Sequence, residues 1–110
     1  GYMESLAQRF VSAFDANCYL YLSRAMDRFD LATHGEPVAL FRAAGLEQAL
    51  VIGVKTDLLF SVQEQHSIAD ALKAAAVPTR FARLSCIEGH DAFLVDLKTF
   101  GTEIRAFLEN

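Results

Sequence analysis

The chain has 110 residues, 53% of them apolar, with nine Phe, no Trp and a formal net charge of −4. That length suits one small domain or a piece of a larger one, and the apolar share exceeds the ~45–50% usual for soluble domains, as expected of a segment whose faces dock on further structure. The negative charge and the lack of any basic run exclude a phosphate-neutralising nucleic-acid surface, and the longest apolar run, residues 49–54, falls far short of the ~20 residues that cross a bilayer.

The first residues show no basic region followed by an apolar one, so no secretory leader is expected. Two cysteines, Cys18 and Cys86, compose neither a metal site nor a disulfide framework. A reduced, cytoplasmic setting follows as the expectation.

Along the chain, Met3, Leu6, Phe10 and Phe14 recur at helical spacing and predict a helix over 3–14. Asp15-Ala16-Asn17 breaks it, with Asn17 the expected N-cap of a second helix over 18–29. That helix carries Tyr19, Leu22, Met26 and Phe29 on one stripe, and Arg24, Asp27, Arg28 and Asp30 on a solvated face. Gly35 and Pro37 mark residues 30–36 as a loop. A short third helix over 38–45 should end at Gly45 as its C′ residue.

From residue 48 the pattern changes. Ala49-Leu50-Val51-Ile52-Gly53-Val54 is continuously apolar and short, as a parallel strand buried on both faces should be. Ser61 and Glu64 form a capping box for a helix whose buried face is expected to hold Ile68, Ala69, Leu72, Ala75 and Ala76. That helix stops before Pro78. Residues 79–85 form a second strand, and a last helix runs over 92–109 with Leu97, Phe100, Ile104 and Phe107 inward. Residues 1–47 therefore read as a helical segment, and residues 48–110 as a parallel βαβα unit of α/β class.

Each strand is followed by a turn holding one residue of catalytic type. Asp57 lies in Val54-Lys55-Thr56-Asp57-Leu58-Leu59-Phe60, and His90 in Glu88-Gly89-His90-Asp91-Ala92-Phe93. In parallel α/β sheets, sites gather beyond the carboxyl ends of strands. An aspartate there can accept from a histidine Nδ1 and orient the ring for proton transfer. Either residue alone is better explained as an ordinary turn residue; their recurrence after consecutive strands is what brings the site reading level with that one. An α/β-hydrolase runs nucleophile, acid, histidine along the chain, and this sequence has the latter two but no Gly-x-Ser-x-Gly. Asp91 could recognise a substrate cation or balance a helix dipole. Cys86 is a poor substitute nucleophile because it shares a strand with His90, and Cys18, His34 and His66 carry no such signal.

Three blocks carry a resemblance: Phe14-Asp15-Ala16-Asn17-Cys18-Tyr19-Leu20-Tyr21-Leu22, Val51 to Phe60, and Gly89-His90-Asp91-Ala92-Phe93-Leu94. Together they resemble the homoserine O-acetyltransferase family from about residue 6 to the end. The resemblance implies the C-terminal part of an α/β-hydrolase fold preceded by helices of a lid domain. It also implies a Ser-His-Asp acyl-enzyme that moves an acetyl group from acetyl-CoA to L-homoserine, in methionine biosynthesis. Asp57 and His90 match the family's acid and base, and Asp91 matches the carboxylate that holds the acceptor's amino group.

The implied parent needs no cofactor or metal beyond its acyl-CoA co-substrate, and it is a homodimer through the lid helices. The nucleophile, the oxyanion hole and an arginine for the substrate carboxylate are expected in a missing N-terminal part, so this chain alone should be inactive. Ser61 stands where the family often has Pro. Related enzymes that succinylate homoserine or acylate serine share the framework. An esterase using the same pair, or a non-catalytic helical interaction module, are the other readings.

Overall fold

The structure, a computed structural model, describes residues 1–109. The described residues divide into two compact units, residues 1–34 and residues from 35 onward.

The first unit holds helices α1 (Tyr2–Ala13) and α2 (Ala16–Asp27), followed by a 3-10 turn over Leu31–His34. The cap of α2 is Asp15, not the expected Asn17: its carboxylate accepts from the Asn17 amide at 2.7 Å. The aspartate wins because it sits two residues earlier, where the first orphan amides of the helix point. Phe10 and Phe14 stack with ring centroids 4.9 Å apart, and Phe14 lies 5.8 Å from Tyr19. Neither helix contains a buried residue. Phe14, Cys18, Tyr19, Leu22, Met26 and Phe29 line an open apolar groove of about 990 Å³.

The second unit is built on two parallel strands, β1 (Ala49–Val54) and β2 (Thr79–Leu84), paired in register from Ala49 with Thr79 to Val54 with Leu84. Helix α3 (Pro37–Ala43) precedes β1 and ends as expected, with Gly45 at φ +62°. Glycine takes that left-handed conformation without the Cβ penalty. Helix α4 (Val62–Ala74) is the crossover between the strands. Ser61 Oγ accepts from the Glu64 amide at 3.2 Å while the Glu64 carboxylate accepts from the Ser61 amide at 2.7 Å, completing the expected box.

Side chains alternate across the two strands, so the sheet carries a core on each face. On one face Val51 joins Ala69, Leu72, Ala75 and Val77, with Val38 and Phe41 of α3 and Phe81 of β2 against them. On the other, Val54 and Leu84 join Cys86 and Ala92, with Ile52 and Phe100 alongside. The inner face of α4 is narrower than its spacing suggests. Ile68 is exposed, and Ala76 has left the helix at φ +63° to turn the chain towards Pro78.

The expected single helix over 92–109 is broken. A 3-10 turn (Gly89–Asp91) leads into α5 (Ala92–Val95), and α6 (Leu97–Leu108) starts afresh after Asp96. Asp96 sits at φ −89°, ψ 60° and caps α6 by accepting from the Thr99 amide at 3.1 Å. A residue with cap geometry cannot also continue a helix, so the break is local chemistry rather than a change of periodicity. On α6, Phe100 and Phe107 are half-buried whereas Leu97 and Ile104 remain exposed.

Leu72 touches the larger core and is nearly inaccessible, so Leu72→Ala should lower the unfolding free energy by about 2–5 kcal/mol. Loss of the cap in Ser61→Ala should cost about 1 kcal/mol. Urea denaturation of the two variants checks both values, and an equal effect would place Leu72 outside a packed core.

Candidate active site

Both turns leave the sheet at one end. The last ladder bond runs from the Lys55 amide to the Leu84 carbonyl at 2.8 Å. Beyond it the β1 chain folds into a tight turn, closed by the Asp57 amide donating to the Val54 carbonyl at 3.1 Å. Asp57 Oδ1 then accepts from the amides of Leu59 and Phe60 at 2.8 and 3.0 Å. This is the side-chain turn that aspartate forms readily, and it leaves the other oxygen free to point elsewhere.

That oxygen, Oδ2, lies 3.0 Å from His90 Nδ1. The histidine sits in the 3-10 turn after β2, which Gly89 enters at φ +65°. The Asp57 side chain is only 9% exposed and that of His90 37%. Phe60 and Phe93 flank the imidazole, with ring centroids 5.2 and 6.2 Å away. Ile52, Gln65 and Phe100 join these residues around a pocket of about 250 Å³.

The electrostatics fix the tautomer. Hydrogen bonding from the Phe60 amide holds the Asp57 carboxyl below its ordinary 3.8 against partial burial, with His90 and the Leu59 amide adding to it. An ionised carboxylate only accepts, so Nδ1 carries a proton, and in the neutral ring Nε2 is then the nitrogen with the lone pair. An imidazole so arranged can take a proton from a hydroxyl and return it later.

Asp91 is exposed, next to His90, and its side chain makes no capping hydrogen bond at the start of α5. Cys86 belongs to a different arrangement. Its thiol donates to Asp96 Oδ2 at 3.3 Å, and burial together with that carboxylate pushes its pKa up. A thiol held protonated in this way is a poor nucleophile. The ligand atoms of Cys86, Glu88 and Asp96 gather within 4.8 Å, the described group that comes nearest to a metal set. Asp96 is already engaged there by the Thr99 amide and the Cys86 thiol. Of the remaining histidines, His66 pairs with Asp70 at 2.9 Å and meets the Phe81 ring edge-on at 4.9 Å. Among the described residues no helix is long and apolar enough to cross a membrane.

Asp57 and His90, expected in turns after consecutive strands, lie in adjoining turns within hydrogen-bond distance; the residues around them were not expected there. Phe60 and Phe93 entered only as members of the blocks that carry the resemblance, with no place beside the imidazole. Thr56, which hydrogen-bonds to both Cys86 and Gly89, was legible only as a hydroxyl residue preceding an aspartate in a turn.

The depressed Asp57 value has a definite sign. Its stabilising contribution is complete above the unfolded pKa and disappears as pH falls through the lower folded one. Urea unfolding of wild type and Asp57→Asn should therefore differ by a constant amount above about pH 5, and the gap should shrink once pH drops below 3.8. A gap that stays constant through that acid range would contradict an ionised, anchored Asp57.

No protein-family model matches the chain. It is 50% identical over 110 residues to the serine O-succinyltransferase of Stenotrophomonas maltophilia (strain K279a), a match covering 98% of this chain and 30% of that protein. Proteins of the same name from Xanthomonas campestris pv. campestris (strain B100) and Xylella fastidiosa (strain M23) are 49% and 46% identical. They match over 97% and 98% of this chain and over 31% and 30% of their own lengths. The chain thus spans about 30% of the length of these relatives and corresponds to their C-terminal part. These similarities support the homoserine/serine O-acyltransferase family for this chain, and they do not extend to the acetyl specificity expected from its motifs.

Proposed function

We propose that the complete protein is an O-acyltransferase in which Asp57 and His90 serve as the acid and base of a Ser-His-Asp triad, and that it moves a succinyl group to the hydroxyl of L-serine. The observation that carries this reading is the Asp57–His90 pair, 3.0 Å apart beyond the carboxyl ends of two parallel strands. The choice of succinyl and serine rests on the name shared by relatives 46–50% identical to the chain. Acetyl transfer from acetyl-CoA to homoserine, the expectation from the motifs, is the second reading. The α/β-hydrolase fold belongs to the same proposal, with β1 and β2 as its last strands and α1 and α2 in its lid.

The reaction proceeds in two halves. A serine from the remainder of the protein gives its proton to His90 Nε2 and attacks the thioester of succinyl-CoA. The tetrahedral intermediate collapses, His90 returns the proton to the departing CoA sulfur, and a succinyl ester stays on the serine. The acceptor hydroxyl then gives its proton to Nε2 and attacks that ester, and His90 reprotonates the enzyme's serine as it leaves. Asp57 stabilises the imidazolium in each half. Splitting one difficult step into two predicts ping-pong kinetics. Asp91, exposed beside the imidazole, holds the acceptor's ammonium group. The uncovered apolar stripe of α1 and α2 supports a contact with a second copy through these helices.

Initial rates with succinyl-CoA and acetyl-CoA, each against L-serine and L-homoserine, decide the pairing. Succinyl-CoA with L-serine should exceed every other pair in kcat/KM by about tenfold or more, the scale of 1–3 kcal/mol of pocket discrimination. A preference for acetyl-CoA with L-homoserine would establish the second reading instead. Asp57→Asn should lower kcat by about 10⁴-fold, the loss seen for the equivalent change in a serine-protease triad; near-normal turnover would remove Asp57 from the mechanism.

Asp91→Ala should reduce kcat/KM for the amino-acid acceptor by about 10²-fold, matching loss of a charge-assisted contact of roughly 2–3 kcal/mol. The single-turnover rate of acyl-enzyme formation from the acyl-CoA should stay within about threefold of wild type, a difference below 1 kcal/mol. Equal loss in both halves would mean that Asp91 supports the histidine turn and does not bind the acceptor.

A further inference from the structure

We propose that Thr56 is a positioning residue whose hydroxyl sets the spacing between the acid turn and the histidine turn. Its Oγ1 donates to the Cys86 carbonyl at 2.7 Å and accepts from the Gly89 amide at 3.1 Å. The donor and acceptor roles of one hydroxyl are thus both used, across an interval that the strand ladder does not bridge. The ladder ends at the bond from Lys55 to Leu84. Past that point the hydroxyl joins the two chains where no backbone pair does.

Its place in the sequence gives the tie its consequence. Thr56 immediately precedes Asp57 and Gly89 immediately precedes His90, so the bond between Thr56 and Gly89 lies one residue from the carboxylate and one from the imidazole. Gly89 reinforces it. The residue sits at φ +65°, and a Cβ there would come within 3.4 Å of the Thr56 carbonyl oxygen. The left-handed turn at Gly89 aims its amide at the hydroxyl. Losing the hydroxyl while keeping the volume, as in Thr56→Val, leaves an amide and a carbonyl without their partner, and they must turn to solvent. The two turns then separate, and the imidazole loses its fixed distance to Asp57. Misplacement of about 1 Å far from the chemistry can cost about 10²-fold in rate.

The kinetic part of this inference rests on the acyltransfer reading above, whereas the structural part does not, so the experiment has an arm for each. In the complete protein, a downfield proton resonance from His90 Nδ1–H should be present in wild type and in Thr56→Ser. It should be lost or exchange-broadened in Thr56→Val. The Gly89 amide of wild type should exchange with solvent as slowly as the amides of β2. The kinetic arm should show kcat lowered by about 10–10²-fold in Thr56→Val, with both KM values within about threefold, and recovery to near wild type in Thr56→Ser.

An unchanged Nδ1 resonance in Thr56→Val, or equal loss in the valine and serine variants, would overturn the proposal. So would fast exchange of the Gly89 amide in folded wild type, a result that needs no variant to fold. A wild-type protein without acyltransferase activity that still passes the resonance and exchange tests would overturn the functional reading alone.

Discussion

Six in-register residue pairs join β1 to β2, and they bring Val54 opposite Leu84 so that both chains leave the ladder at the same height. Parallel pairing requires a crossover, which α4 supplies, and it sends both strand ends the same way. Everything local to the site depends on that shared exit. Asp57 comes three residues after Val54, His90 six after Leu84, and the longer path on the β2 side is taken up by the chain from Cys86 to Gly89. Two apolar clusters, one on each face of the sheet, keep the pair of strands from shifting. Slipping the register by one residue would reverse which side chains meet α4 and which meet Phe100.

The carboxylate divides its work between two oxygens. Oδ1 is taken by two backbone amides of its own turn, and Oδ2 by the imidazole. The first set of bonds keeps Asp57 ionised and immobile; the second uses that fixed charge to decide which ring nitrogen bears the proton. A carboxylate held only by the histidine could swing with it. Phe60 contributes twice, through an amide to Asp57 and a ring beside His90, so the turn that anchors the carboxylate also sets an apolar ring against the imidazole.

The strands, the α4 capping box and the stop at Gly45 were legible because each rests on chemistry within a few residues: an apolar run, a Ser and a Glu at fixed spacing, a glycine at a helix end. The pairing of Asp57 with His90 was legible from position, since residues after consecutive parallel strands share a sheet end. What escaped depends on distant partners. The break at Asp96 is stabilised by Thr99 nearby, but also by the thiol of Cys86, ten residues back. Periodicity alone could not separate α5 from α6 when apolar residues continue through the break. The exchange of Asn17 for Asp15 as cap reflects two good capping residues in competition. Thr56 escaped because a hydroxyl in a turn has many local uses, and its contacts with Cys86 and Gly89 exist only once the strands are paired. Leu97 and Ile104 keep helical spacing yet stay exposed, because periodicity reports an apolar face and not what covers it.

The central claim is that His90, oriented by Asp57, activates a nucleophile for acyl transfer. Intact-mass measurement after mixing the complete protein with succinyl-CoA alone tests it without any acceptor. Wild type should gain one succinyl group within the first turnover, with stoichiometric release of CoA, and His90→Gln should gain none on the same timescale. Equal labelling of the two proteins would show that His90 is not the base, and the account of the site would fall with it.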